Sequence, residues 1–506
     1  MSSTVPARGP RRVHRAAVLA AAAIAAIASA APAHAGLSAA ITPGLGLTYQ
    51  TNEGGQITSS GYITPWVNVA SSGSTTGGAP AGRAAGIGTA IYFTGQFTTG
   101  NRGVVMTATG SYALDPLAIS AYGSGNVSPY AVAGNGMVVG SSDAWSDDGL
   151  RGLGARPVWY APGDATPHVL PLPEGFTDAN GNAFAYAPAV SRSGVVIGRA
   201  VPLVGDSLQG ARVLRWATTD AAAQVLDPIS APEGATQYDT ALSVNDAGVA
   251  VGTAYLTDAN GNSLGIDPVR WQGNGGTRAQ VLGHLGEAAD GTFSAYAMAV
   301  DAHGTAVGSA TRYDADHNAL GNVAVRWPAG KTAAVELGGA GTDPDGRGTT
   351  YALGVDDAGM IAGVGQSFGT AHNPTGWRAL RWLPGHDTAQ LLKPLSQWID
   401  GSTYTYAYGV NRKGWIAGAA NVKMNTSGSY NDFNNVQIHA VVWGPDGSVH
   451  DLNKLIPRDG KWTLYNAYGI SDAGLVTGIG WYQEAPDLAP YQRLYTLQLH
   501  KTGDGH

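Results

Sequence analysis

Tyr351-Ala352-Leu353-Gly354-Val355-Asp356-Asp357-Ala358-Gly359 decides the fold, because the chain repeats it. Tyr296-Ala297-Met298-Ala299-Val300-Asp301-Ala302-His303-Gly304 precedes it and Tyr406-Ala407-Tyr408-Gly409-Val410-Asn411-Arg412-Lys413-Gly414 follows it, at the same interval on either side. Tyr186 to Gly194 reads the same way, so the shared pattern is Y-A-x-[AG]-V-[NDS]-x-x-G. The closing glycine recurs at Gly136, Gly194, Gly248, Gly304, Gly359, Gly414 and Gly474, a near-constant period of about 56 residues. A second glycine follows each by four residues, from Gly140 to Gly478. A tryptophan follows that second glycine at an almost fixed distance at Trp159, Trp216, Trp271, Trp327 and Trp382, and at a longer one at Trp443; Tyr495 takes the place in the last copy. These units are repeats 1 to 7.

Small and apolar residues running into an Asn/Asp-x-x-Gly corner, then a second apolar run, describe a β-hairpin whose glycine adopts a positive φ. A third strand ends in Val269-Arg270-Trp271 or Leu380-Arg381-Trp382, and a fourth follows, such as Ala334 to Leu337. Four antiparallel strands per unit of about 56 residues are the size of a propeller blade. The expected fold is therefore all-β, a β-propeller of seven to eight four-stranded blades, with a stacked β-solenoid as the competing architecture. Asn52 to Ile57 resembles a hairpin corner and Ala90 to Phe93 a third strand, around a Ser/Gly/Ala-rich insertion from Ser71 to Gly86. They suggest a degenerate first repeat. Repeat 7 has no room for a fourth strand after Tyr495, so an N-terminal strand near Leu37 to Thr42 is expected to supply it and close the ring.

Composition supports this reading. Seventy-three glycines among 506 residues, with only 13% charged, suit strands and tight turns. The absence of cysteine excludes disulfides, thiolate metal sites and a cysteine nucleophile. A formal net charge of −7 argues against nucleic acid as a partner. Arg8, Arg11, Arg12 and Arg15, the apolar run Ala16 to Ala31 and Ala33-His34-Ala35 have the order of a secretory signal peptide cut after Ala35. The expected location is extracellular or periplasmic, with no transmembrane segment after signal removal. The chain then divides into residues 1–35 (signal), 36–120 (closing strand and degenerate repeat) and 121–506 (seven tandem repeats of the same propeller).

His439-Ala440-Val441-Val442-Trp443 and the corner Val244-Asn245-Asp246-Ala247-Gly248 resemble the HAF family of bacterial probable extracellular repeats. The resemblance runs from about Tyr130 to Leu499. It departs from the family in usually replacing the motif histidine, as by Arg212, Asp267, Val323 and Arg378. It implies export and repetition, without an established reaction or ligand.

Blade geometry puts the loops between strands two and three, and those between repeats, on one variable face, opposite the tight turns. The recurrent tryptophans are expected to pack between blades. Arg215, Arg270, Arg326 and Arg381 are expected to be structural ties, with Asp246, Asp301 or Asp356 as possible partners. Tyr186, Tyr296, Tyr351 and Tyr406 open the innermost strand near the channel mouth, with Tyr313, Trp377 and Trp398 on or beside neighbouring long loops. Tyrosine joins a stacking surface to a polar handle, so these seven residues are the candidate ligand contacts. Blade filling is the alternative for the recurrent tyrosines.

Three loops carry oxygen ligands at calcium spacing: Asp178, Asn180 and Asn182; Asp258, Asn260 and Asn262; Asp314, Asp316 and Asn318. None reaches the bidentate acid at position twelve, and Asp, Asn and Gly are also ordinary turn formers. Calcium is thus the one cofactor suggested, against plain turns. No nucleophile elbow, P-loop or dinucleotide fingerprint occurs, and no catalytic residue is assigned. The expected function is a secreted, non-enzymatic protein that binds polysaccharide or an extracellular protein or peptide on its variable face. The alternative is a secreted carbohydrate-active enzyme, a propeller-type lyase or glycosidase.

Overall fold

The computed structural model describes residues 37–43, 49–51, 57–64, 86–94, 97–204, 207–208, 210–369, 374–397, 402–423, 437–488 and 490–501. The expected signal segment, the expected 52–56 corner, most of the Ser/Gly-rich insertion and Trp398 lie outside them. The protein is all-β, in multiple mainly antiparallel sheets, with no α-helix among the described residues.

Repeat 3 shows the unit. Thr236–Val244, Ala250–Thr257, Ser263–Trp271 and Ala279–Val281 pair in chain order. Its corner closes on itself: the Gly248 N–H donates to the Asn245 carbonyl at 2.9 Å, and the Val249 N–H to Asn245 Oδ1 at 3.0 Å. All seven corner glycines have φ between 75° and 100°, which a side chain would resist. The second glycine has a different cause. Between strands one and two the register slips in every repeat, as between Ala297 and Ala299. The slip pushes a first-strand carbonyl into the space a β-carbon would need: a methyl on Gly308 would lie 1.8 Å from Tyr296 O, and one on Gly418 1.9 Å from Tyr406 O.

Successive first strands lie against one another, whereas each fourth strand packs mainly on its own third strand. The first strands are therefore the inner layer. The core is distributed between sheets: one buried cluster joins Ala189, Ile197 and Val213 of repeat 2 to Ala241, Val269 and Trp271 of repeat 3. Trp216, Trp271, Trp327, Trp382 and Trp443 are completely buried, and each donates its indole N–H backward across the seam. Trp271 reaches Asp227 O at 3.0 Å, Trp327 reaches Gly283 O at 2.8 Å and Trp382 reaches Gly338 O at 2.9 Å. Repeats 1 and 7 correct the sequence register. Tyr160, not Trp159, is the buried residue in repeat 1, its hydroxyl donating to Asp115 O at 2.9 Å. In repeat 7 Leu497 faces Val476 at the tryptophan register, and Tyr495 lies two residues earlier.

The arginine row also has different partners from those expected. Arg215 donates to Gln272 O at 2.6 Å and Gly276 O at 2.5 Å, and Arg270 to Lys331 O at 2.8 Å and Trp327 O at 2.8 Å. These are backbone carbonyls in the next repeat's turn between strands three and four. Asp246 instead holds Arg192, and Asp301 and Asp356 accept from the backbone of their own corners. Only Arg326 in the row meets a carboxylate among the described residues, Asp387 at 2.7 Å.

Leu37–Pro43 pairs antiparallel with Tyr491–Lys501, from Leu37 opposite Lys501 to Pro43 opposite Tyr495, and so is the fourth strand of the repeat 7 sheet. The N-terminal sheet is ordered Tyr49–Thr51, Ile57–Thr64, Gly86–Thr94, Phe97–Thr107, Gly110–Ala113. Here the sequence register is wrong by one strand. The Leu114 N–H donates to Gly103 O, as Leu170 does to Pro157 and Leu226 to Val213, so Phe97–Thr107 is the third strand. Ala90 to Phe93 belongs to the second, with Gly88 opposite Val104 as Gly140 is opposite Val158.

Candidate functional site

Long loops converge at one end. Arg151, between strands two and three of repeat 1, donates to Asn180 O at 2.9 Å in the loop between repeats 1 and 2. His317 Nδ1, between strands two and three of repeat 4, lies 2.9 Å from Glu287 O in the loop between repeats 3 and 4. Third strands enter here beside the next first strand, through short parallel pairings such as Gly376 with Thr403 and Trp377 with Tyr404.

Alternation along Thr403–Val410 places Tyr404, Tyr406 and Tyr408 on one face, while Thr403, Thr405 and Ala407 are buried on the other. Their rings form a chain. Trp377 lies 5.9 Å from Tyr406 between ring centroids, Tyr404 lies 4.8 Å and Tyr408 5.8 Å from Tyr406, and Tyr408 lies 5.0 Å from Tyr468 of repeat 7. These spacings are those of stacked and tilted aromatic pairs. The backbone beneath is fixed by buried Asn421, which accepts from the Tyr404 N–H at 2.8 Å and from Thr403 Oγ1 at 2.8 Å, and donates to Ser396 O at 2.9 Å. Burial, followed by the neighbouring phenols, raises the Tyr408 pKa; burial also raises those of Tyr465 and Tyr468. These three phenols therefore stay neutral through the ordinary pH range.

Of the sequence candidates, Tyr406 and Trp377 meet in this chain. Tyr351 forms part of a second, looser group, accepting from Asn322 Nδ2 at 3.3 Å and acting electrostatically on Tyr296, whose pKa burial raises. Tyr186 sits apart, 5.7 Å from Tyr130, with the Arg199 guanidinium 5.8 Å from its ring centre. Tyr313 ends a second strand and packs near Gly286. Tyr404, Tyr408 and Tyr468 were missed, although Tyr404-x-Tyr406-x-Tyr408 is a period-two signal.

The three Asp/Asn loops are built by their own hydrogen bonds. Asp314 Oδ1 accepts from the Asp316 and Asn318 N–H groups at 2.9 and 2.8 Å, and Asn318 Nδ2 donates to Asp314 Oδ2 at 3.1 Å. Asp178 binds Asn180 and Asn182 in the same way, and Asp258 binds Asn260 and Asn262. These bonds hold the three aspartates below the usual carboxylate range. Turn formation accounts for the spacing.

The motif-histidine position, four residues before the tryptophan, carries a second set of ties. Arg212 donates to Gln237 O at 3.3 Å, Arg156 donates to Ala183 O at 3.2 Å and to Gly181 O, and His439 pairs with Asp451 at 3.1 Å.

No family model and no curated protein matches the sequence. Among solved structures, the chain is similar to the β-propeller domain of the Trilobed protease from Pyrococcus furiosus, at 7% identity over 74% of this chain and 93% of that one, with a TM-score of 0.37. It is similar to the polysaccharide lyase Uly1 at 9% identity over 92% and 97% of the two chains, TM-score 0.37. It is also similar to YCF48 from Cyanidioschyzon merolae at 10% over 68% and 88%, TM-score 0.32. The architecture is all-β and repeated, in multiple sheets, and no helix among the described residues is long and apolar enough to cross a membrane.

Proposed function

We propose that this is an exported, non-enzymatic binding protein of the HAF-repeat type, an eight-bladed propeller closed by its N-terminal strand, which holds a polysaccharide on the aromatic wall of its inner strands. Closure is supported by the pairing of Leu37–Pro43 with the last repeat. It is further supported by Thr42 and Thr496, whose hydroxyls donate to Ala108 O at 2.7 Å and Thr107 O at 2.9 Å in the N-terminal sheet. Export rests on the order of charge, apolar run and Ala33-His34-Ala35 in the leader.

The chain of rings from Trp377 through Tyr406 and Tyr408 to Tyr468 carries the binding reading. It spans three repeats, so it suits an extended ligand that meets several rings in succession. A binding role fits the chemistry of the wall, where phenols and an indole offer stacking and neutral hydrogen bonds. The recurrent arginines and the aspartates of the three loops are engaged in structural bonds elsewhere. The test is to screen the purified protein against neutral and acidic polysaccharides, measuring both retention and release of new chain ends. Retention without product supports the proposal; product release makes the protein an enzyme, and absence of retention removes the polysaccharide.

A further inference from the structure

The inner strands share a property that no single repeat reveals. The first strands of repeats 1 to 7 hold ten of the 22 tyrosines, but only one Asp, Glu, Lys or Arg, which is Asp239. Asp239 is 1% exposed, accepts from Gln237 Nε2 at 2.6 Å and has its backbone carbonyl bound by Arg199 of repeat 2. It belongs to the seam between sheets. Among the described residues, every partly exposed position on these seven strands is uncharged.

We infer that the wall selects an uncharged polysaccharide, a glucan or mannan type of chain, over one bearing uronate, sulfate or phosphate groups; the inference rests on the binding reading above. An anionic polymer would lose hydration on entering a half-buried layer of rings and meet no first-strand cation there to replace it. A neutral pyranose has the complementary surface. Its C–H face is apolar enough to lie on Tyr406 or Trp377, while its hydroxyls can exchange hydrogen bonds with phenols at the rim. The Asn466 amide, donating to Tyr468 Oη at 3.0 Å, adds a neutral hydrogen-bonding group beside the same ring chain. The raised pKa values of Tyr408 and Tyr468 keep those two phenols protonated in mildly alkaline solution.

Affinity electrophoresis through gels containing a neutral β-glucan, a neutral mannan or polygalacturonate tests the inference. A neutral gel should retard the protein, at least about tenfold more strongly than polygalacturonate. The retardation should be indifferent to about 0.5 M salt and to pH between about 5 and 9. Tyr406→Ala should weaken it between about threefold and tenfold, and Tyr406→Phe, which keeps the ring, should retain most of it. Stronger, salt-sensitive retardation by polygalacturonate overturns the inference. If Tyr406→Ala then abolishes that retardation, the wall remains the binding site and only the neutral class fails. Indifference to all three gels refutes the binding reading itself.

Discussion

Gly308→Ala and Gly304→Ala separate two physical reasons for glycine four residues apart. At Gly304 the backbone has φ of 92°, and an added β-carbon meets nothing within 4 Å. The cost is that of a left-handed conformation, roughly 1–2 kcal/mol. At Gly308 the β-carbon would stand 1.8 Å from Tyr296 O and 2.9 Å from the carbonyl carbon. An ordinary contact of about 3.5 Å requires the two strands to part by well over an ångström at the register slip. Overpacking against movable side chains costs about 1–3 kcal/mol. Here the obstacle is backbone within a ladder, so a loss on the order of 4 kcal/mol or more is expected. Urea denaturation of both variants, followed by far-ultraviolet circular dichroism, compares the midpoints at matched slopes. If Gly308→Ala is no more destabilising than Gly304→Ala, the crowding explanation is wrong.

Trp382→Phe leaves Gly338 O without its buried donor and opens a small void, so a loss of about 2–4 kcal/mol is expected in the same assay. Burial raises the Asp239 pKa to about 6, so the folded state binds that proton more tightly than the unfolded one. Its contribution to stability therefore falls as pH rises from about 4 to about 6 and stays reduced above, by at most roughly 3 kcal/mol. Asp239→Asn should accordingly raise the urea midpoint at pH 8 and hardly change it at pH 4; the opposite ranking refutes the assignment. Asp314→Ala should lower stability slightly through its lost turn bonds, and calcium should leave the melting temperature of the native protein unchanged. A calcium-dependent rise that Asp314→Ala abolishes would restore a cation site. Removing residues 37–43 exposes the edge of Tyr491–Lys501 and should lower the melting temperature and promote association, whereas an unchanged, monodisperse protein would deny the strand its closing role.

Repeat length, strand order and corner were legible because each leaves a periodic mark. The Asn/Asp-x-x-Gly signature needs only local geometry, and Gly248 at φ 75° behaves as that geometry requires. What failed depended on partners in other repeats. Arg215 and Arg270 recur visibly, but their acceptors are backbone carbonyls of the next repeat, which have no sequence signature. Trp159 has the right spacing, yet Tyr160 takes the buried slot because the turn before it differs in length. Another mark was present but unread: glycine precedes the buried aromatic by six residues at Gly154, Gly210, Gly265, Gly321 and Gly376. A β-carbon on Gly154 would meet Ala183 O at 2.2 Å and one on Gly321 would meet Gly348 O at 2.3 Å, where one sheet hands over to the next. The aromatic chain was half legible. Alternation along Thr403–Val410 could reveal one face, but not that Trp377 and Tyr468 arrive from neighbouring sheets.

The placement of function on the inner aromatic wall is tested most directly by comparing Trp377→Ala with Tyr406→Ala combined against Lys413→Ala, on whichever polysaccharide retains the native protein. Trp377 and Tyr406 meet at 5.9 Å in the wall, and Lys413 lies on a tight corner at the opposite end. With two stacking surfaces removed, each contributing on the order of 0.5–1.5 kcal/mol, the double variant should bind about 5- to 150-fold more weakly with its circular dichroism unchanged. Lys413→Ala should bind as the native protein does. Loss of binding in Lys413→Ala, with binding kept in the folded double variant, would put the functional surface on the wrong face.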